Sequence, residues 1–167
     1  LRQQGVASIL VTHDQSEAIT FSERLLLMNN GELVQIGSPS EIYRYPRTLW
    51  AAGFVGEANL LTVEQQNGLS NTPLGPLSLS RNPKKLAVTL MIRPEELRLE
   101  TPQRHLSQGR ITEIEFAGSV QNLRLSLNDG QILRVSTSPQ RIWSKGESVS
   151  VVPEHFLCFD RDGTLLE

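Results

Sequence analysis

From Glu57 onward the chain is cut into short apolar or alternating runs, each bounded by turn-forming residues. The runs fall at 60–63, 77–79, 86–92, 97–99, 111–116, 120–127, 132–135, 149–152 and 156–159. Between them stand Asn67-Gly68, Asn128-Asp129-Gly130 and Asp162-Gly163. These residue types reach positive φ easily, which a hairpin turn requires. Residues 123–127, Leu-Arg-Leu-Ser-Leu, alternate strictly, the period of a strand with one face in a core and the other in water. Strands recurring at this spacing make a small barrel or sandwich. The chain is therefore predicted to be mainly β.

The first 56 residues carry a different pattern. Val6 to Val11 are small or β-branched apart from Leu10, and largely apolar (Ser8 is the exception), and read as a buried strand. The strand ends at Thr12-His13-Asp14, and a helix starts within one or two residues. Asp14 is its predicted cap, with Glu17 reaching back to form a capping box. His13 thus falls at the end of a parallel-type strand beside a helix start, and ligands of open α/β sheets gather at strand carboxyl ends. Position alone leaves two readings of His13: a functional imidazole, or a polar junction residue bonded to nearby backbone. Farther on, two apolar runs flank Asn29-Asn30-Gly31, a hairpin in which Gly31 supplies a positive φ. Ser38 is a predicted helix cap, with Pro39 at the first helical position and Glu41 closing a box. That helix should stop before Pro46, which drives Tyr45 out of the helical region. A second short helix is predicted over 49–54, ending by Gly56. Strand, helix, hairpin and helix do not complete an α/β domain. The 6–11 strand expects sheet neighbours that the chain supplies only as the following hairpin. Such a piece should expose apolar surface, pair with a second copy, or rearrange.

Composition narrows the classes of function. Of 167 residues, 38% are hydrophobic and 20% charged, ordinary proportions for a globular protein. No apolar run approaches the ~20 residues of a membrane span. The first five residues look like the tail of a helix ending at Gly5 rather than a signal peptide. With no initiating Met, the chain reads as a piece of a longer protein. One cysteine, Cys158, rules out an internal disulfide and fits a reducing compartment. Residues 1–56 hold four basic and five acidic side chains, and residues 57–167 hold twelve and thirteen. Neither region has the positive field that nucleic acid requires. Stacking platforms for bases are also scarce: Phe116, Phe156 and Phe159 sit in runs that look like core strands, leaving Trp143. His155, Cys158 and Asp160, with His105 elsewhere, suggest a metal site. On a strand, however, Cys158 and Asp160 share a face that His155 does not. No C-x-x-C or H-x-x-x-H spacing accompanies them. A buried Cys and surface polar groups account for them better.

The row ILVTHDQSEAITFSERLLLMNNGELVQIGSPSEIYRYP resembles the last part of the ATPase domain of ABC transporters, the importers above all. In that family a histidine followed by Asp-Gln-x-Glu-Ala is the switch histidine, which contacts the γ-phosphate of ATP. The resemblance places His13 in that role. Farther on, Met91-Ile92-Arg93-Pro94-Glu95-Glu96 resembles the Arg-Pro-Glu landmark of the transport-associated OB-like module (TOBE). The resemblance thus implies an incomplete end of a nucleotide-binding domain over 1–56 and an OB-like β-barrel over 57–167. It implies ATP and Mg²⁺ as cofactors of the full-length protein. The implied partners are a second copy and the membrane subunits of a transporter, with the protein on the cytoplasmic face of the membrane. The barrel would be a dimer-contact and regulatory domain with no catalytic residue, and Arg93-Pro94-Glu95 a strand ending in a proline turn.

Three features resemble the ferric-iron importers most: the short step from Phe54-Val55-Gly56-Glu57 to the barrel, the row LMIRPEEL, and the ending FLCFDRDG. Sugar, polyamine, sulfate and molybdate importers share most of these landmarks. G-x-x-x-x-G-K-[ST], the phosphate cradle, is missing from the sequence, as is Leu-Ser-Gly-Gly-Gln. Asp14 is followed by Gln15 rather than an acid, so residues 11–14 are not a Walker B strand. Without cradle and Mg²⁺ ligands the charge of phosphoryl transfer is not stabilised, and the chain alone is expected not to hydrolyse ATP. The reading from a different class is a non-enzymatic OB-like module that binds a small ligand or a protein.

Overall fold

A computed structural model describes residues 7–66, 69–77 and 87–166. The chain divides into two compact units, Leu1–Gly56 and Glu57–Glu167. Each has its own apolar core.

In the first unit, α1 spans Gln15–Phe21, β1 Leu25–Asn29, β2 Glu32–Gly37, α2 Pro39–Arg44 and α3 Leu49–Val55. The β1–β2 hairpin turns on Asn30 (φ 49°) and Gly31 (φ 82°). Both central residues are left-handed, as a two-residue turn matching strand twist demands. Asn tolerates that region, and Gly31 has no Cβ to clash. Val34 is the extra residue of a bulge, since Leu27 faces Gln35 while Met28 faces Leu33. Leu25 and Leu27 turn inward onto Ile42, Ala51 and Val55. The buried amide of Gln35 serves the α2–α3 connection: its Nε2 donates to Tyr45 O at 3.0 Å, and its Oε1 accepts the Arg47 N–H at 2.9 Å.

The expected caps hold. The Ser38 N–H donates to Glu41 Oε2 at 2.8 Å, and Ser38 Oγ accepts the Glu41 N–H at 3.3 Å, with Pro39 at the first position. The helix ends at Arg44, with Tyr45 at φ −131° ahead of Pro46. The next helix, α3, begins behind a Thr48 cap whose Oγ1 accepts the Ala51 N–H at 3.1 Å.

The strand expected over 6–11 does not form in the described part of that segment. Residues 7–11 are exposed and unpaired, with Ile9 95% and Val11 92% accessible. The reason is the shortage of neighbours. Among the described residues of this unit the only strands are β1 and β2, which satisfy one another. A strand with no ladder leaves its backbone groups to water and buries nothing.

Among the described residues the second unit holds ten strands: β3 Asn59–Gln66, β4 Leu69–Thr72, β5 Gly75–Leu77, β6 Ala87–Ile92, β7 Leu97–Glu100, β8 Ser107–Phe116, β9 Gln121–Leu127, β10 Ile132–Thr137, β11 Ser148–Pro153 and β12 Leu157–Phe159. They form two antiparallel sheets, ordered β10-β9-β8-β11-β7 and β12-β6-β3-β4-β5. Both sheets contribute to one core: Leu61, Val63, Val88, Leu90 and Ile92 from one, and Ile111, Leu123, Leu125, Leu133, Val149 and Val151 from the other. The result is mainly β and OB-like, as the sequence and its resemblance lead one to expect.

Strand β9 shows the strict alternation of burial read from 123–127. The Asn128–Gly130 turn closes with Gly130 at φ 88° and the Asp129 carboxylate accepting the Gln131 N–H. The Asp162-Gly163 turn closes likewise, the Asp160 N–H donating to Thr164 O with Gly163 at φ 76°. The expected turn at Asn67-Gly68, residues 78–79 of the run at 77–79, and residue 86 lie outside the described residues.

Two features were not anticipated. Strand β4, Leu-Ser-Asn-Thr, has no apolar alternation and exists through its pairing with β3 and β5. Strand β8 starts four residues before the apolar run, because Ser107–Arg110 pair with β11. A Cβ on Gly109 would stand 3.2 Å from the Leu127 side chain, which would have to give by a few tenths of an ångström.

The two sheets are also joined by a side chain. Buried Asn59 donates from Nδ2 to Arg134 O at 2.8 Å and to Ile92 O at 3.3 Å, and its Oδ1 accepts the Arg134 N–H at 2.7 Å. Its amide pairs with the free edge of β10 as another strand would.

Candidate functional site

His13 lies in a bend, exposed, between Thr12 and the cap of α1. Asp14 caps that helix as predicted: its Oδ1 accepts the N–H of Ser16 at 2.8 Å and of Glu17 at 3.1 Å. The reciprocal half of the box is different. Glu17 does not return to the Asp14 N–H. That N–H donates to Thr12 Oγ1 at 3.0 Å, and the Thr12 hydroxyl donates to Glu17 Oε2 at 2.9 Å. A threonine two residues before the cap offers a nearer acceptor, so the carboxylate takes the hydroxyl instead. The parallel-type strand expected to end at His13 is absent from residues 7–11, so the histidine is placed by this turn rather than by a sheet. Its imidazole can donate or accept one hydrogen bond at each nitrogen according to tautomer.

The other chemistry-bearing residues are dispersed. Cys158 sits half-buried on β12 opposite Leu90, and desolvation pushes its thiol up from the ordinary value. His155 lies 3.3 Å through Nδ1 from Glu96 Oε1, on the connection from β11 to β12. Asp160 Oδ1 accepts the N–H groups of Asp162 and Thr164 and shapes the last turn. His105 is exposed in the turn before β8. Among the described residues no three His, Cys, Asp or Glu side chains could hold a metal ion together. Of the three phenylalanines read as core, Phe159 is fully buried and Phe156 half-buried, but Phe116 is 70% exposed. It ends β8 beyond the Thr112 bulge, where the β8–β9 arm runs past the part of β8 that pairs with β11. Trp143 is buried, with the Arg141 guanidinium 3.8 Å from the ring centre.

Arg93 is more than the start of a proline turn. The strand does end at Ile92 and a short 3₁₀ turn, Pro94–Glu96, follows. Yet Arg93 is only 2% exposed, and it donates from Nη1 to Glu57 O at 2.9 Å. Its backbone N–H reaches Glu96 Oε2 at 3.2 Å. Glu57 also pairs with Arg134 at 3.3 Å. Arg93, Arg134 and Asn59 together fix the entry of the second unit. Sequence pattern gives no sign of this, because an arginine after an apolar strand ordinarily points to water.

An open groove of about 380 Å³ is lined by Pro73, Leu106 and Leu127 and by the polar Arg104, Gln108 and Asp129. Among the described residues no helix is long and apolar enough to cross a membrane.

The TOBE domain family matches residues 90–159. A sulfate/thiosulfate import ATP-binding protein of Chromobacterium violaceum is 38% identical over 148 residues, 84% of this chain and 40% of that protein. An Fe(3+) ions import ATP-binding protein of Pectobacterium atrosepticum is 33% identical over 90% of this chain and 45% of its own length. A spermidine/putrescine import ATP-binding protein of Ruegeria pomeroyi is 35% identical over 89% and 44%. The chain thus spans less than half the length of these relatives. A solved structure of the cytoplasmic molybdate-binding protein ModG aligns with a TM-score of 0.46 and 14% identity, over 65% of this chain and 93% of that one. A likeness that slight says nothing of a ligand. With a TOBE domain in its second unit and these relatives along most of its length, the chain is homologous to the C-terminal region of ABC import ATP-binding subunits.

Proposed function

We propose that the chain is the C-terminal part of the ATP-hydrolysing subunit of an ABC import system. In this reading residues 1–56 end the nucleotide-binding domain, and His13 is its switch histidine. The observation that carries the reading is the build around His13: an exposed imidazole in a turn anchored on both sides, within an unbroken Thr-His-Asp-Gln-x-Glu-Ala row. In the full-length protein ATP and Mg²⁺ would be held by residues outside this sequence, since the chain has no phosphate cradle of its own. His13 would contribute one hydrogen bond toward the γ-phosphate and the attacking water, a positioning role of the kind on which phosphoryl transfer depends. Residues 57–167 would form the regulatory and dimer-contact barrel. The partners would be a second copy and the membrane subunits, at the cytoplasmic face.

Ferric iron is the cargo we favour, on the Phe54–Glu57 step, the LMIRPEEL row and the FLCFDRDG ending, and because iron importers are among the relatives. The sulfate and polyamine relatives have similar identity, and cargo is chosen mainly by membrane subunits and the external binding protein. The test is His13→Ala in the full-length subunit. Loss of turnover with nucleotide binding retained supports the reading, and unchanged turnover overturns it.

A further inference from the structure

Resting on that reading of His13, we infer that Thr12 and Glu17 are positioning residues for the switch histidine. Asp14 is held through both backbone and side chain: its N–H donates to Thr12 Oγ1 at 3.0 Å, and its carboxylate accepts the N–H groups of Ser16 and Glu17. The peptide that carries His13 is closed into this small hydrogen-bonded turn, so the direction of its Cα–Cβ bond is fixed before any phosphate arrives. The Thr12 hydroxyl can both donate and accept, but from the Asp14 N–H it can only accept, which requires its own proton to point elsewhere. An ionised Glu17 carboxylate only accepts. At 2.9 Å it draws the hydroxyl proton to itself and leaves a lone pair for the Asp14 N–H. Glu17 therefore acts on His13 through Thr12, without needing to touch the nucleotide. A hydrogen bond to a reacting phosphate tolerates little displacement, and an error of about 1 Å costs on the order of a hundredfold in rate.

The experiment compares Glu17→Ala, Glu17→Gln, Thr12→Val and His13→Ala in the full-length ATP-binding subunit, with kcat and the KM for ATP measured for each. Amide exchange of Asp14 and of α1 in the present chain is followed in parallel. The expected result is that Glu17→Ala and Thr12→Val lower kcat by about ten- to a hundredfold and leave KM within about twofold. Glu17→Gln, whose amide oxygen can still accept from the hydroxyl, should restore most of kcat. The Asp14 amide should exchange faster in Thr12→Val while α1 stays formed. If His13→Ala lowers turnover but Glu17→Ala does not, the positioning role is refuted and the switch reading stands. If Glu17→Ala lowers kcat only where α1 itself melts, or if Glu17→Gln fails to rescue, the role is structural and the inference falls. If His13→Ala leaves turnover unchanged, the switch reading fails and the inference with it.

Discussion

Asn59 joins the two sheets of the second unit through one amide, and replacing it by Ala should lower stability by roughly 2–3 kcal/mol. Two of its three bonds are short, 2.7 and 2.8 Å to the Arg134 N–H and carbonyl, and the third, to Ile92 O, is 3.3 Å. A neutral bond contributes about 1 kcal/mol net, and a buried group left unpartnered costs about 1–3 kcal/mol. The Arg134 side chain is half exposed, so water can replace part of what is lost at that strand edge, which keeps the total toward the lower figures. For a unit of this size roughly 4 °C accompanies each kcal/mol, so Tm should fall by about 10 °C. The assay is urea and thermal unfolding of the whole chain followed by Trp143, which is buried in the second unit, in a Trp50→Phe background. Exposed Asn122→Ala on β9 is the control and should shift stability by less than about 0.5 kcal/mol. Asn59→Asp should be worse than Asn59→Ala at neutral pH, because a carboxylate oxygen would replace Nδ2 against two carbonyl oxygens. That carboxyl would have a raised pKa in the fold, so the deficit should grow as pH rises above ~4 and shrink below it. An Asn59→Ala variant within about 0.5 kcal/mol of wild type would refute the idea that this amide binds the sheets together.

Three further outcomes can be checked on the same chain. The Glu41 carboxyl is held below its ordinary value of 4.5, chiefly by the Ser38 N–H and then by the Ser38 hydroxyl. Being depressed, its contribution is present above that value and lost as pH falls through the folded pKa. Ser38→Ala should therefore lower stability at neutral pH, by a difference that narrows in acid; a pH-independent difference between the two proteins counts against the argument. Burial raises the Cys158 thiol, so alkylation by iodoacetamide at pH 8 should be slower than that of free cysteine and recover in urea; equal rates in the native protein would contradict this. Amides of residues 7–11 should exchange as fast as those of an unstructured peptide, whereas protection matching β9 would mean that the segment finds a strand partner after all.

Local chemistry made much of this protein legible from its sequence. The Asn30-Gly31 turn, the Ser38-Pro39-Glu41 helix start, the stop before Pro46 and the alternation of β9 each depend on interactions within a few residues, and each is found where the residues place it. The helix capped by Asp14 is of the same kind. The capping box at Glu17 went differently because a third local group, the Thr12 hydroxyl, competed for the same N–H.

What the tertiary structure decided is everything that depends on a partner distant in sequence. Residues 7–11 have the composition of a strand but meet no ladder among the described residues, so partners rather than composition set their exposure. Strand β4 and the start of β8 are polar and extend only because neighbouring strands offer them hydrogen bonds. Phe116 lies in an apolar run yet stays 70% exposed, while Arg93 is charged yet buried, because Glu57 O receives its guanidinium 36 residues away. Asn59 binds Arg134 across 75 residues. Local propensity is a sum over near neighbours, but burial and strand pairing are set by which surfaces meet once the chain has closed on itself.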